Sequence, residues 1–489
     1  MNNSSVRRRS GMLLSLLAAV LIALLLRWPL LHVPLERDEG AYATVATLWR
    51  QGAVPYRDVW DHKPPLIYLL YRLLPLGGAT SAWTLRTWGT AYFMLGLLLV
   101  YWIGRQLWDR PTATVATLLY AVAGSAFVLQ GLVLNTEQAL VVPALAALWC
   151  LLRWIEAGRW QAAIWLGVSL AAVALIKPTA VPLLLPLLLL GWRRQPLLVS
   201  AVALTGGAVI VILPFAFYLL LQRAWQAMIF ALITYNGRYL RVSQGQWSTA
   251  ELANMAAPFA PLALAALGGL ALALPTGRRI DGKTRQRLAL VGWTFAFAIA
   301  ALASLRAYIH YYYPMLPGLA LLAAPTLLWL VRQPHGSGYL QRVAHWTAPL
   351  SLLALLLVPL VTGNLRAGSQ TPAEQSVSLY SDDGQLFADA ERVAAYIQAH
   401  SAPSTRLFIW ASEPEIYVLA QRQPASRYVY DYPLVLFPEL GGGLQTELQR
   451  TPPGIVVVYA GAYPSGFDQV VTRRGLVRLT QIGHFEIFG

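Results

Sequence analysis

Long apolar runs punctuate this chain, and nothing else restricts its folding as much. The first spans about Leu13 to Leu31, and comparable runs recur as far as about Val361. Inside a bilayer every backbone N–H and C=O must be satisfied by the chain itself, so a run of about 20 apolar residues reads as a membrane-spanning helix. The composition agrees: 57% of the 489 residues are hydrophobic and 12% charged, where an ordinary soluble domain has about 25% charged residues. The net charge is +15. The basic residues fall as small clusters between apolar runs, where they set orientation, and form no nucleic-acid patch. Cys150 is the single cysteine, which excludes an internal disulfide and a cysteine-based metal site.

Eleven spans follow from the runs: 13–31, 85–103, 112–128, 138–152, two short ones within 162–190, 197–221, 255–274, 288–305, 311–331 and 346–361. The run 162–190 is split because Lys177–Pro178 lies in its middle, and neither a lysine nor a helix-breaking proline suits a bilayer centre. Arg7, Arg8 and Arg9 precede the first run, which ends at Arg27–Trp28–Pro29 without a small-residue cleavage pattern. The reading is an uncleaved first span with a cytoplasmic N-terminus and Arg27 snorkelling to the outer interface. Arg or Lys then marks each inward loop: Arg105 and Arg110, Arg153 and Arg159, Arg193 and Arg194, and Arg278 to Arg287. This orientation makes the loops at 36–71 and 222–251 external.

From about Asn364 the Leu-rich runs stop, and Ser, Asp, Gln and Gly increase. Phe387–His400 has helical periodicity, short β-rich runs occur at Leu407–Trp410, Tyr428–Tyr430 and Ile455–Tyr459, and helical patterns lie near Glu415–Gln421 and Leu444–Arg450. Alternating strand and helix predicts a small extracytoplasmic α/β domain. The expected division is a transmembrane domain over 1–363, with its first external loop at 32–84, and the α/β domain over 364–489.

The loop 36–71 concentrates ionisable residues: Glu36, Asp38, Glu39, Asp58, Asp61, His62 and Lys63. Tyr42, Val45, Leu48 and Trp49 share one face of a helix that opens at Asp38–Glu39, as an amphipathic helix lying in the membrane interface would require. Asp38 can cap such a helix. Gly52 ends it, and Pro64–Pro65 suits the first turn of a second helix. Lys63 is then fixed at the level of lipid phosphates, either as an interfacial anchor or as part of a specific phosphate site. Asp58, Asp61 and His62 read as residues that hold the loop's shape. Asp382–Asp383, flanked by Ser381 and Gly384, reads as a solvated turn.

The segments ERDEGAYA (36–43), DHKPPLIYLLY (61–71) and HYYYPMLP (310–317), in that order, resemble the polyprenyl-phosphate-dependent glycosyltransferases of the GT-C fold. That group includes the protein O-mannosyltransferases, the aminoarabinose transferases acting on lipid A and the lipopolysaccharide galacturonosyltransferases. The resemblance implies an inverting enzyme of the cell membrane, serving cell-envelope glycosylation, that moves a sugar from a polyprenyl-phosphate donor to an extracytoplasmic lipid, glycan or protein. By it, Asp38 matches the catalytic base and Glu39 its companion, while Glu137 matches the acidic position of the second external loop. Lys63 matches the lysine on the donor phosphate, and Arg306, His310 and Tyr312 lie where further donor-phosphate contacts occur. Lys177 matches a recurrent Lys-Pro.

The chemistry is consistent with these roles. A phosphate leaving group needs cations rather than a proton, and an attacking hydroxyl needs a base. No nucleoside diphosphate is involved, so no metal-holding Asp-x-Asp is required. Carboxylates from two loops also suit a hard cation, which leaves a divalent ion at Asp38 and Glu137 open. The alternative is a multi-span transporter or lipid flippase with an extracytoplasmic sensing domain; against it, the charges gather at external ends rather than at mid-span.

Overall fold

The computed structural model describes residues 3–73, 80–191, 196–242, 248–275, 280–303, 308–333, 339–463 and 466–489. Arg193, Arg194, Arg278 and Arg306 lie outside the described residues. Internal contacts divide the chain into two units. The first is Met1–Leu31, Thr87–Leu213 and Gly245–Ser369; the second is His32–Arg86, Pro214–Gln244 and Gln370–Gly489. By contacts, therefore, the first long loop groups with the C-terminal segment.

Among the described residues, seven helices are long and apolar enough to cross a membrane, from Gly11–Leu30 to Thr347–Gly368. The remaining expected spans are helical but shorter or more polar. Arg110–Ala123 has 14 residues, Trp160–Ala174 and Pro178–Leu190 are short apolar helices, and Gly282–Ala303 opens with Lys283, Arg285 and Arg287. The break at Lys177–Pro178 falls where proline chemistry places it, between a helix ending at Ala174 and a 3-10 turn starting at Pro178.

In the first unit Arg27 departs from the expected snorkelling. It is 2% exposed. Its guanidinium donates to Ser125 Oγ at 3.1 Å and to the carbonyls of Gly124 and Gly131 at 2.7 and 2.6 Å, and it lies 4.0 Å from the Phe93 ring centre. Carbonyls left unpaired by the 124–131 turn offer a buried arginine what the interface would have offered. Asn364 also belongs here, inside the helix Tyr339–Gly368. It donates to the carbonyls of Leu26 and Ser125 and accepts from Phe127 N, all within 2.9 Å.

In the second unit the loop helix runs Arg37–Arg50. Glu36, rather than Asp38, is its N-cap, accepting from the amides of Asp38 and Glu39 at 3.0 Å each. The helix is not the half-exposed interfacial one that its periodicity predicts, since Glu39 to Ala46, Leu48 and Trp49 are all buried. The helix Glu415–Ala420 covers its other side: Thr44 Oγ1 donates to Pro414 O at 2.9 Å, and a Cβ at Gly40 would meet Glu415 Cβ at 2.6 Å. The approach needs a glycine there. Gly52, at φ 101°, turns the chain out of the helix, and Pro64 caps a second helix, Pro65–Arg72.

The C-terminal segment of this unit carries helix Asp382–His400 and a four-stranded sheet ordered β1-β2-β4-β3, with β1 Leu407–Trp410, β2 Ile455–Tyr459, β3 Arg478–Ile482 and β4 Phe485–Phe488. β1 and β2 are parallel; β4 is antiparallel to both of its neighbours. Tyr428–Tyr430 is not a strand: it makes one bridge, with Trp60 of the loop, whose amide donates to Arg427 O at 2.8 Å. Asp382 and Asp383 are exposed and open a helix rather than a turn.

Candidate active site

Within the second unit, Asp38 sits in the first turn of the loop helix, with its side chain 36% exposed. Lys63 Nζ lies 3.4 Å from Asp38 Oδ2. Three tyrosines fix the backbone around this lysine. Tyr56 donates to Lys63 O at 2.8 Å, Tyr68 OH accepts from Lys63 N at 3.1 Å, and Tyr68 donates to Asp61 Oδ2 at 2.9 Å. Tyr430, far along the chain, donates to Asp61 Oδ1 at 2.5 Å. Tyr56 holds φ at 70°, unusual for a bulky residue, as backbones near functional sites do.

Glu39 differs from its neighbour Asp38. It is 0% exposed, and its carboxylate lies 2.7 Å from Arg86 Nη1. Arg86, itself fully buried, also donates to Pro34 O at 3.0 Å. Asp61 is buried; burial works against its charge, but the bonds from His62 and Tyr430 hold its carboxyl below the ordinary value. Burial, and then Lys63, lower His62, so the ring is neutral near pH 7. His62 O accepts from Asn236 at 3.0 Å. Asp58 accepts from Val54 N at 2.9 Å and pairs with Arg57.

Behind the loop helix, Glu415 is fully buried and its carboxyl oxygens have no hydrogen-bond partner on another residue among the described residues. Burial first, and then the Glu413 carboxylate, push it well above the ordinary carboxylate range. A carboxyl that holds its proton more tightly in the folded chain adds stability below the unfolded value of about 4.3. That stability is lost as pH rises through the raised folded value. Glu415→Gln is therefore expected to stabilise the protein by about 1–3 kcal/mol near pH 8 and to change little near pH 4. Thermal unfolding at the two pH values checks this, and an unshifted midpoint near pH 8 would reject it.

In the first unit the helix Thr136–Ala157 begins at an Asn135 cap that accepts from the amides of Glu137 and Gln138. Glu137 is 2% exposed, accepts from Thr136 Oγ1 at 2.8 Å and is paired with Lys177. Lys177 also stands 4.2 Å over the Tyr311 ring. Sequence reasoning places both residues in external loops but misses this pair, because a 40-residue separation carries no periodic signal. His310 Nδ1 lies 3.0 Å from Gln130 Oε1. Tyr312, in contrast, is 3% exposed and packs on Phe259 at 5.6 Å between ring centres.

Asp38 and Glu137 each have a lysine ammonium beside the carboxylate, a charge arrangement that competes with a dication. Among the described residues no group of three or more His, Cys, Asp or Glu side chains is placed to hold a metal ion.

The family model for dolichyl-phosphate-mannose-protein mannosyltransferase matches residues 62–220. No curated protein sequence matches the chain. Among solved structures the chain is similar to ArnT from Cupriavidus metallidurans bound to undecaprenyl phosphate, at 15% identity and TM-score 0.63 over 98% of both chains. It is also similar to the Archaeoglobus fulgidus oligosaccharyltransferase in its apo form, at 16% identity and TM-score 0.56 over 94% of this chain and 71% of that one. The same archaeal protein, AglB, in complex with an inhibitory peptide and a dolichol-phosphate gives 14% identity and TM-score 0.53 over 91% and 69%. The chain has the GT-C fold that these structures share. The resemblance read from its motifs is borne out, and the multi-pass membrane character with it; the transporter alternative gains nothing from these matches.

Proposed function

We propose that this protein is an inverting glycosyltransferase that moves a hexosyl or pentosyl group from a polyprenyl-phosphate donor to an extracytoplasmic lipid, glycan or protein hydroxyl. The observation that carries the reading is the Asp38–Lys63 pair, a carboxylate and an ammonium 3.4 Å apart on a loop braced by buried hydrogen bonds. Lys63 neutralises the charge that builds on the departing phosphate, and Asp38 accepts the proton of the attacking hydroxyl. The two roles fit one pair: a phosphate that draws Lys63 to itself releases the carboxylate for the hydroxyl. One displacement inverts the anomeric carbon.

Glu39, enclosed with Arg86, is assigned to positioning Asp38. In the first unit Glu137 keeps the acidic assignment, and His310, Tyr312 and Arg306 the donor-phosphate one. The reaction is written without a metal ion, and transfer that survives a chelator is the matching expectation. The protein is placed in the cell membrane with its N-terminus cytoplasmic and its C-terminal segment outside.

Lys63→Ala is expected to raise the apparent KM for the lipid-linked donor about 10- to 100-fold, the loss of one charge-assisted contact of about 1.5–3 kcal/mol. Membranes supplied with labelled polyprenyl-phosphate sugar measure this. Unchanged donor kinetics would remove Lys63 from the phosphate site, and absence of any transfer product from the wild type with a panel of donors would sink the whole reading.

A further inference from the structure

A cavity of about 330 Å³ lies within the second unit, between the C-terminal half of the loop helix and the stretch following helix Glu415–Ala420. Its volume falls in the range of small-ligand sites. Its walls mix apolar surface from Leu48, Tyr417 and Val418 with the polar side chains of Arg50, Gln51 and Gln421 among others, and among the described residues they include no carboxylate.

Two arginines line it. Arg422 is 7% exposed and spends its donors on the neutral acceptors Ser401 Oγ and the carbonyls of Gln398, Ser401, Ala420 and Gln421, so no counter-charge among the described residues meets it. Arg50 donates to Arg72 O at 3.1 Å and Thr47 Oγ1 at 3.1 Å; burial and the neighbouring Arg72 cation both work against its charge. A buried cation without an anion is costly; an anionic ligand in the cavity would offset the charge of Arg422 and pair directly with the half-buried Arg50.

The rim has its own signal. Gln421 holds a left-handed backbone, φ 56°, at a helix C-cap where glycine is the usual residue. Here a long amide side chain occupies the mouth instead. Gln51 and Gln423 pair across it.

We propose that this cavity binds an anionic carbohydrate, a sugar unit bearing a phosphate or a carboxylate, as a remote part of the acceptor. Arg50 receives the oxyanion and the glutamines receive hydroxyls. Asp38 and Arg50 sit at opposite ends of one helix, 12 residues apart in sequence, which at 1.5 Å per residue is about 18 Å. The cavity therefore holds a unit distant from the reacting hydroxyl. That the ligand is acceptor rests on the transferase reading; that the cavity binds a charged sugar does not.

The test is calorimetric titration of the full-length protein in detergent with glucuronate, glucose 6-phosphate, glucose and inorganic phosphate. Saturable binding of at least one charged sugar is expected, about tenfold or more tighter than glucose, with whichever acid binds naming the source of the charge. Arg50→Gln is expected to weaken it about tenfold or more. Gln421→Gly removes the amide at a position where glycine relaxes the backbone, so it should weaken binding while the thermal midpoint holds or rises. Arg450→Gln, on an exposed face elsewhere, should change nothing.

Glucose binding as tightly as the acids, phosphate binding as tightly as the charged sugars, an Arg50→Gln protein that binds normally, or no saturable binding would each overturn the proposal. Charged-sugar binding in a protein that transfers nothing would instead count against the transferase reading and leave the cavity standing.

Discussion

Asp38→Asn is expected to lower the rate of sugar transfer by about 100- to 10,000-fold, the usual contribution of a positioned general base. The substitution keeps the shape of the side chain and removes the proton acceptor. Asp38 is partly exposed and Glu36, not Asp38, caps the helix, so the cap does not depend on the Asp38 carboxylate. The thermal midpoint should move little, because the ion pair with Lys63 is partly exposed and worth about 1 kcal/mol or less. Asp38→Glu should retain partial activity, and the acidic limb of the pH–rate profile should be displaced in it. An Asn variant that keeps more than about a tenth of wild-type turnover would take Asp38 out of the chemistry.

Arg86→Met is expected to be the most destabilising single change in the loop, by about 3–5 kcal/mol, because it strands the Glu39 carboxylate in a buried place without its cation. Both members are fully enclosed, and breaking such a pair costs far more than replacing it whole. The double variant Arg86→Met with Glu39→Gln should therefore regain most of the lost stability. It also separates two roles for Glu39. If Glu39 acts by holding Asp38 in place, the double variant recovers transfer along with stability; if Glu39 takes part in chemistry, stability returns and transfer does not. Thermal unfolding and labelled-donor turnover on the same preparations give both readouts.

Much of the fold was legible because it rests on local rules. The apolar runs located the seven long apolar helices among the described residues, and the proline at 178 located a break that the helices observe. Gly52 and Pro64–Pro65 bounded the two loop helices, since each imposes its own backbone angles. Three local readings went astray because a distant segment intervened. Arg27 turned inward to carbonyls of the 124–131 turn. The loop helix lost its exposed face to Pro414–Ala420. Tyr428–Tyr430, β-rich in composition, met a single strand-like partner in Trp60 and stayed irregular.

The site shows the same division. The sequence by itself determined which residue types the loop concentrates, that Asp38 opens a helix, and that Lys63 precedes a proline-started one, for these follow from spacing and from backbone preferences of single residues. Only the tertiary structure decided the partners: Lys63 to Asp38, Arg86 to Glu39, Lys177 to Glu137, Tyr430 to Asp61. A polar contact is fixed by distance in space, and a separation of 25 to 369 residues along the chain leaves no periodicity from which it could be read. The cation that each carboxylate meets, and hence which carboxylate is partly open for chemistry and which is shut away, was settled by packing.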